Sequence, residues 1–102
     1  MSKEAVVNKM EEIVQSLRGQ LEKNDGSTLS TIYNNAKLGF ETLMAGVMGN
    51  KTVKAALKTF KKHAEDFEEG IKKGDKKLSA MALGYMEKTI HDLKSSKDDE
   101  DD

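Results

Sequence analysis

The sequence predicts an all-α protein, a small antiparallel bundle of about four helices with a disordered acidic C-terminal tail. Three observations lead there. Apolar residues recur at steps of three and four in four separate stretches, the spacing of one helix face. Proline is absent from the 102 residues, which permits long helices. Period-two alternation and long β-branched runs are missing, which removes the signature of strands.

The first helix carries Val6, Met10, Ile13, Leu17 and Leu21 on one face. Ser2 is its candidate N-cap, and Glu4 suits the positive end of the helix dipole. Asn24-Asp25-Gly26 ends it, since these residues tolerate left-handed and turn conformations. The second helix starts at Ser27, Thr28 or Ser30 and closes at Gly49-Asn50. Its apolar positions are Leu29, Ile32, Tyr33, Ala36, Phe40, Leu43, Met44 and Val47, and its only charges are Lys37 and Glu41.

The third helix has the most regular stripe: Val53, Leu57, Phe60, Ala64, Phe67 and Ile71. Thr52 is the expected cap, and Gly70 and Gly74 bracket the exit. Asp75 can cap the fourth helix, which runs from about Lys77 to Lys94. Its apolar face is broader, with Leu78, Met81, Ala82, Tyr85, Met86, Ile90 and Leu93. Short loops between neighbouring helices favour an up-down-up-down arrangement. A dimer that completes its core with a second copy is the rival. Residues 1–94 make one helical domain, and residues 95–102, SSKDDEDD, make the tail.

Composition narrows the chemistry. Without cysteine there is no disulfide, thiolate nucleophile or thiolate zinc site. The first twenty residues mix charged and apolar residues, so no signal peptide is expected, and no apolar run is long enough to span a bilayer. A cytoplasmic setting is the expectation. The net charge of −1 hides an asymmetry: DDEDD at 98–102 carries five negative charges, and the rest of the chain is +4.

One stretch stands apart. Residues 43–50, LMAGVMGN, carry no charge in a chain that is 34% charged. Each glycine in a helix costs up to ~1 kcal/mol relative to alanine. Gly39 and Gly46, a heptad apart, therefore suggest close approach of another helix. Gly39, Met44, Gly46 and Met48 are the candidate interface residues, burying this helix within the bundle or against a partner.

Three further features could carry function. Lys51, Lys54, Lys58, Lys61 and Lys62 form a basic row on the third helix, away from its apolar stripe. Such a row can follow phosphates by neutralising them, and nucleic-acid association is the second function class. Arg18 is the only arginine, and no aromatic residue interleaves with the lysines, so base reading and stacking have little material. Glu65, Asp66, Glu68 and Glu69 follow directly, and the row could instead hold the acidic tail.

The string HDLKSS at 91–96 resembles the phosphoacceptor motif of histidine phosphotransfer domains. That resemblance implies His91 as acceptor and Lys94 as the charge that steadies the phosphoryl group. In that family further helices follow the histidine helix, whereas here the acidic tail follows. Glu87 and His91 lie one turn apart, but two histidines without cysteine assemble no recognisable metal set, so no metal or cofactor is expected. No glycine-rich phosphate loop, nucleophile elbow or paired-carboxylate signature appears, and no catalytic residue is assigned.

The leading expectation is a non-enzymatic protein that binds another protein, or a second copy of itself as a homodimer. Its small size and charged exterior resemble the small helical immunity and inhibitor proteins of bacteria and phages. A membrane is not an expected partner, because Asn34, Asn35 and Thr42 offer no basic polar face.

Overall fold

The computed structural model describes residues 2–23, 26–46 and 50–96, with side-chain detail at all of these but 20, 26–30, 32 and 33. Within them the chain is all-helical: α1 (Lys3–Lys23), α2 (Gly26–Gly46), α3 (Lys51–Lys73) and α4 (Lys76–Ser95). The expectations for Val47, Met48, Gly49, the Asn24-Asp25 turn, the tail from Lys97 onward and the side chains of Leu29, Ile32 and Tyr33 lie outside the described residues.

Local chemistry sets the helix ends. The Ser2 hydroxyl accepts from the Ala5 N–H at 3.1 Å and opens α1 as its N-cap. Helix α2 already begins at Gly26, ahead of the Ser27–Ser30 start read from the sequence. The cap of α3 is Asn50, not Thr52: the Asn50 side chain accepts from the Val53 N–H at 3.0 Å. Thr52 therefore lies in the first turn of the helix. Gly74 closes α3 at φ +70°, and its N–H donates to the Gly70 and Ile71 carbonyls. Asp75 then caps α4 by accepting from the Leu78 N–H at 3.0 Å. At the far end, Ser95 is still helical and Ser96 is the cap.

The principal contacts join α1 to α2, α2 to α3, α3 to α4 and α4 to α1, so each helix has two neighbours around one core. Of the six stripe positions read on α3, Leu57, Phe60, Ala64 and Phe67 are completely buried, Val53 nearly so, and Ile71 is partly buried against the core. Phe60 meets Phe40 of α2 edge to face, with ring centroids 5.2 Å apart. Around them lie Val6, Met10, Leu17 and Leu21 of α1, Leu43 of α2, and Met86, Ile90 and Leu93 of α4. Helix α1 buries a wider sector than its regular stripe, since Val7 and Val14 are also buried.

Helix α4 departs from the sequence reading. Met81 and Tyr85 are about half exposed, at 53% and 50%, whereas Leu83 is fully buried. The cause is the seam with α3. The buried Ser79 hydroxyl donates to the Phe67 carbonyl at 2.9 Å, directly beside Gly70, where no side chain intervenes. That contact turns Ser79, Ala82, Leu83, Met86, Ile90 and Leu93 inward. Met81 and Tyr85 then fall on the outer shoulder, where Tyr85 stacks on His63 of α3 at 5.1 Å.

Candidate protein-binding surface

The outward side of α2 differs from the rest of the surface. Thr31, Asn34, Leu38, Thr42 and Ala45 are spaced by three, four, four and three residues, hence on one helix face, and all five are exposed. None is charged. Leu38 is 65% exposed, the most exposed large hydrophobic residue among the described residues. The Thr42 hydroxyl donates to the Leu38 carbonyl at 3.1 Å, so its hydrogen bond is already made within the helix. Both charges of α2 lie to one side. Lys37 reaches Glu68 of α3 at 3.6 Å, and Glu41 sits one turn further on.

Of the candidate interface residues, Met48 lies outside the described residues, and Gly39 and Met44 lie on different sides of α2. Gly39 is half-buried toward α1, where an added Cβ would lie 3.8 Å from the Ile13 Cδ1. Met44 lies on the opposite side of α2, the side of Lys37, and packs against the core. Gly46 is exposed at the helix end, and a close helix approach is found elsewhere among the described residues. It is made at Gly70, where a Cβ would overlap the Ser79 hydroxyl and lie 2.8 Å from the Ser79 backbone nitrogen. An open groove of about 340 Å³ runs beside Gly39, lined by Lys9, Glu12, Ile13, Ser16, Asn35 and Ala36.

Next to the α2 face, α3 presents Lys51, Lys54, Lys58, Lys61 and Lys62, all exposed. Among the described residues none of the five lies in an ion pair. Other cations do: Arg18 meets Glu87 at 2.9 Å, Lys73 meets Glu69 at 2.7 Å and Lys88 meets Asp92 at 3.1 Å. The Glu69–Lys73 pair, one turn apart on α3, holds the Glu69 carboxyl below its ordinary range, first through the hydrogen bond and then through the charge of Lys73. The same bond, then the charge of Glu69, raises Lys73.

His91 is exposed in a second groove, of about 320 Å³, between α1 and α4. Two carboxylates line it, and each already has a cation. Lys94 lies 3.3 Å from Glu11, and Arg18 holds Glu87. The lysine that the phosphotransfer resemblance would assign to a phosphoryl group is thus engaged across the helix pair. Among the described residues, no group of three or more His, Asp or Glu could hold a metal ion. No helix among them is long and apolar enough to cross a membrane.

The α2 stripe is the feature sequence reasoning missed. Its signal was present, in a helix of 21 residues with only two charges one turn apart. The uncharged LMAGVMGN stretch overlaps the C-terminal end of this helix, and its Leu43 is buried. No protein-family model, curated protein or solved structure matches the chain.

Proposed function

We propose that the chain is a non-enzymatic protein-binding module of the cytoplasm, of the adaptor, immunity or inhibitor type, and that it docks through the outward face of α2. The observation that carries this reading is the uncharged stripe Thr31, Asn34, Leu38, Thr42 and Ala45 on a chain that is otherwise 34% charged. A face without charge loses little solvation when a partner covers it, and the exposed Leu38 supplies an apolar anchor at its centre. The lysine row of α3 borders the stripe and would steer an acidic partner toward it.

The scaffold in this proposal is an antiparallel bundle. The cross-helix pairs support it. Along α1, Lys3 donates to the Ser96 carbonyl at 2.8 Å, Glu11 meets Lys94 and Arg18 meets Glu87, so advancing along one helix retreats along the other.

The test places a photo-reactive residue at position 45 in the native cell, with position 12 as a control on another face. A discrete cross-linked product at 45, absent at 12 and lost when Leu38→Glu is added, is the expected result. Leu38 is largely exposed, so that substitution should change stability by no more than ~0.5 kcal/mol. A product of twice the 11.3 kDa chain mass identifies a second copy as the partner. Equal labelling at 45 and 12, or labelling indifferent to Leu38→Glu, rejects the reading.

A further inference from the structure

The uncharged stripe on α2 is symmetric about Leu38. Thr31 and Ala45 each lie seven residues from it, and Asn34 and Thr42 each lie four. All five are exposed on one face. We propose that the occupant of this face is a second copy of the chain, its α2 packed antiparallel on the first across a two-fold axis through Leu38.

The symmetry fixes the register. A two-fold axis perpendicular to both helices sets Leu38 against Leu38 of the second copy, Thr31 against its Ala45 and Asn34 against its Thr42. Leu38, largely exposed in the single chain, finds its apolar contact at the centre. The Thr42 hydroxyl donates to the Leu38 carbonyl. Its oxygen can still accept from the Asn34 amide of the second copy. The small Thr31 and Ala45 let the two helices approach at both ends of the contact.

Charge selects the antiparallel pair over the parallel one. Lys37 and Glu41 lie together on the α3 side of α2. The two-fold axis turns the α3 side of one copy toward the α3 side of the other. Lys37 then stands within about 3 Å of the level of Glu41 of the second copy, at 1.5 Å rise per residue. The reciprocal pair forms at the same time. Lys37 already reaches Glu68 at 3.6 Å, and an ammonium group with three donors can serve both carboxylates. A parallel pair would set this flank against Asn35 and Gly39 on the α1 side, where both charges lose water and gain no partner.

Along the axis the stripe runs for about 21 Å, at 1.5 Å per residue. A single helix face of that length covers less than the about 800 Å² per partner of a standard interface, so the dimer is weak and reversible. The lysine rows of α3 take no part in it. With both α2 helices between them they stand about 20 Å apart, two helix diameters, beyond the ~8 Å screening length at physiological salt. The contact rests on the protein-binding reading above and supplies its partner. Both experiments use the purified chain alone, so the two can fail separately. A cross-linked product of another mass at position 45 in the cell, with no paired cysteines in vitro, removes the second copy and keeps the binding face.

The chain has no cysteine, so single substitutions give defined thiols. In a glutathione redox buffer the disulfide yield reports equilibrium proximity rather than collision. Leu38→Cys, on the axis, should link two copies at least about fivefold more than Gln15→Cys, which is exposed beside α4 and away from α2. In an equal mixture of Thr31→Cys and Ala45→Cys chains, with products separated by mass, the 31–45 product should exceed 31–31 and 45–45 at least about tenfold, against about twofold for random pairing. A prevalence of 31–31 and 45–45 means a parallel pair and overturns the proposal. A random ratio in the mixture, or a Leu38→Cys yield no greater than that of Gln15→Cys, overturns it as well.

An independent arm reverses the flanking charges in chains without cysteine. Lys37→Glu or Glu41→Lys alone sets like charges across the axis and should weaken dimerisation about three- to tenfold, measured by sedimentation equilibrium from about 10 μM to 1 mM. The two reversals combined restore complementary pairs and should return dimerisation to within about twofold of the unmodified chain, even though the Lys37–Glu68 contact is lost. Single reversals without effect, a double reversal no better than the singles, or a chain that stays monomeric throughout the range overturns the proposal.

Discussion

Replacing Gly70 with alanine would place a methyl group inside the seam between α3 and α4. The added Cβ would overlap the Ser79 hydroxyl, lie 2.8 Å from the Ser79 backbone nitrogen and 2.9 Å from the Asp75 carbonyl oxygen. The hydroxyl can rotate away, but only by giving up its buried bond to the Phe67 carbonyl. That loss costs about 1–3 kcal/mol. The two backbone atoms cannot rotate, so the turn at Gly74-Asp75 must shift, an overpacking cost of about 1–3 kcal/mol. Against these stands a gain of about 1 kcal/mol from the better helix propensity of alanine. The balance is a net loss of about 1–5 kcal/mol, or at least ~4 °C in melting temperature for a domain of this size. The assay is urea and thermal unfolding followed by circular dichroism. Gly39→Ala is the internal control, because its Cβ meets Ile13 at an ordinary 3.8 Å. It should stabilise by about 0.5–1 kcal/mol. Adding Ser79→Ala to the Gly70→Ala chain should recover only part of the loss, since the backbone contacts remain. An unchanged or raised midpoint in Gly70→Ala refutes the reasoning.

Other substitutions test other parts of the structure. Phe60→Ala empties a completely buried site and its edge-to-face contact with Phe40, and should cost about 3–5 kcal/mol by urea unfolding. Asn50→Ala removes the α3 cap and should cost about 1 kcal/mol, more than Thr52→Ala, in the same assay. Lys73→Met should return the Glu69 carboxyl toward its ordinary value, read by carbon-detected NMR titration. In the unmodified chain, Glu69's contribution to stability is present above the ordinary carboxylate range and is lost as pH falls through its lowered pKa. Lys73's is present below the ordinary lysine value and is lost as pH rises through its raised pKa.

How much of this was legible in the sequence differs helix by helix. On α3 the stripe from Val53 to Phe67 could be read directly, because charged residues fill the positions between and leave one apolar sector. The caps Ser2 and Asp75 were legible for a similar reason: a short polar side chain before a helical run has a local job, to accept from an N–H three residues on. On α4, Leu, Met, Tyr and Ala occur on more than one face, and periodicity offers angles about the helix axis without saying which angle points inward. The candidate binding face of α2 was half legible, since its lack of charge was visible but its direction was not.

The sequence by itself determined that the chain forms helices, where α1 and α4 are capped at their N-termini and which face of α3 is apolar. These follow from residue spacing and from bonds made within a few residues. Only the tertiary structure decided that Leu83 rather than Tyr85 enters the core, that Gly70 is a close contact between helices, and that Thr31, Leu38 and Ala45 face outward. Those outcomes depend on where a neighbouring helix lies. The buried hydrogen bond from Ser79 to the Phe67 carbonyl rotates α4 against α3, and the helices on either side of α2 leave its uncharged face open.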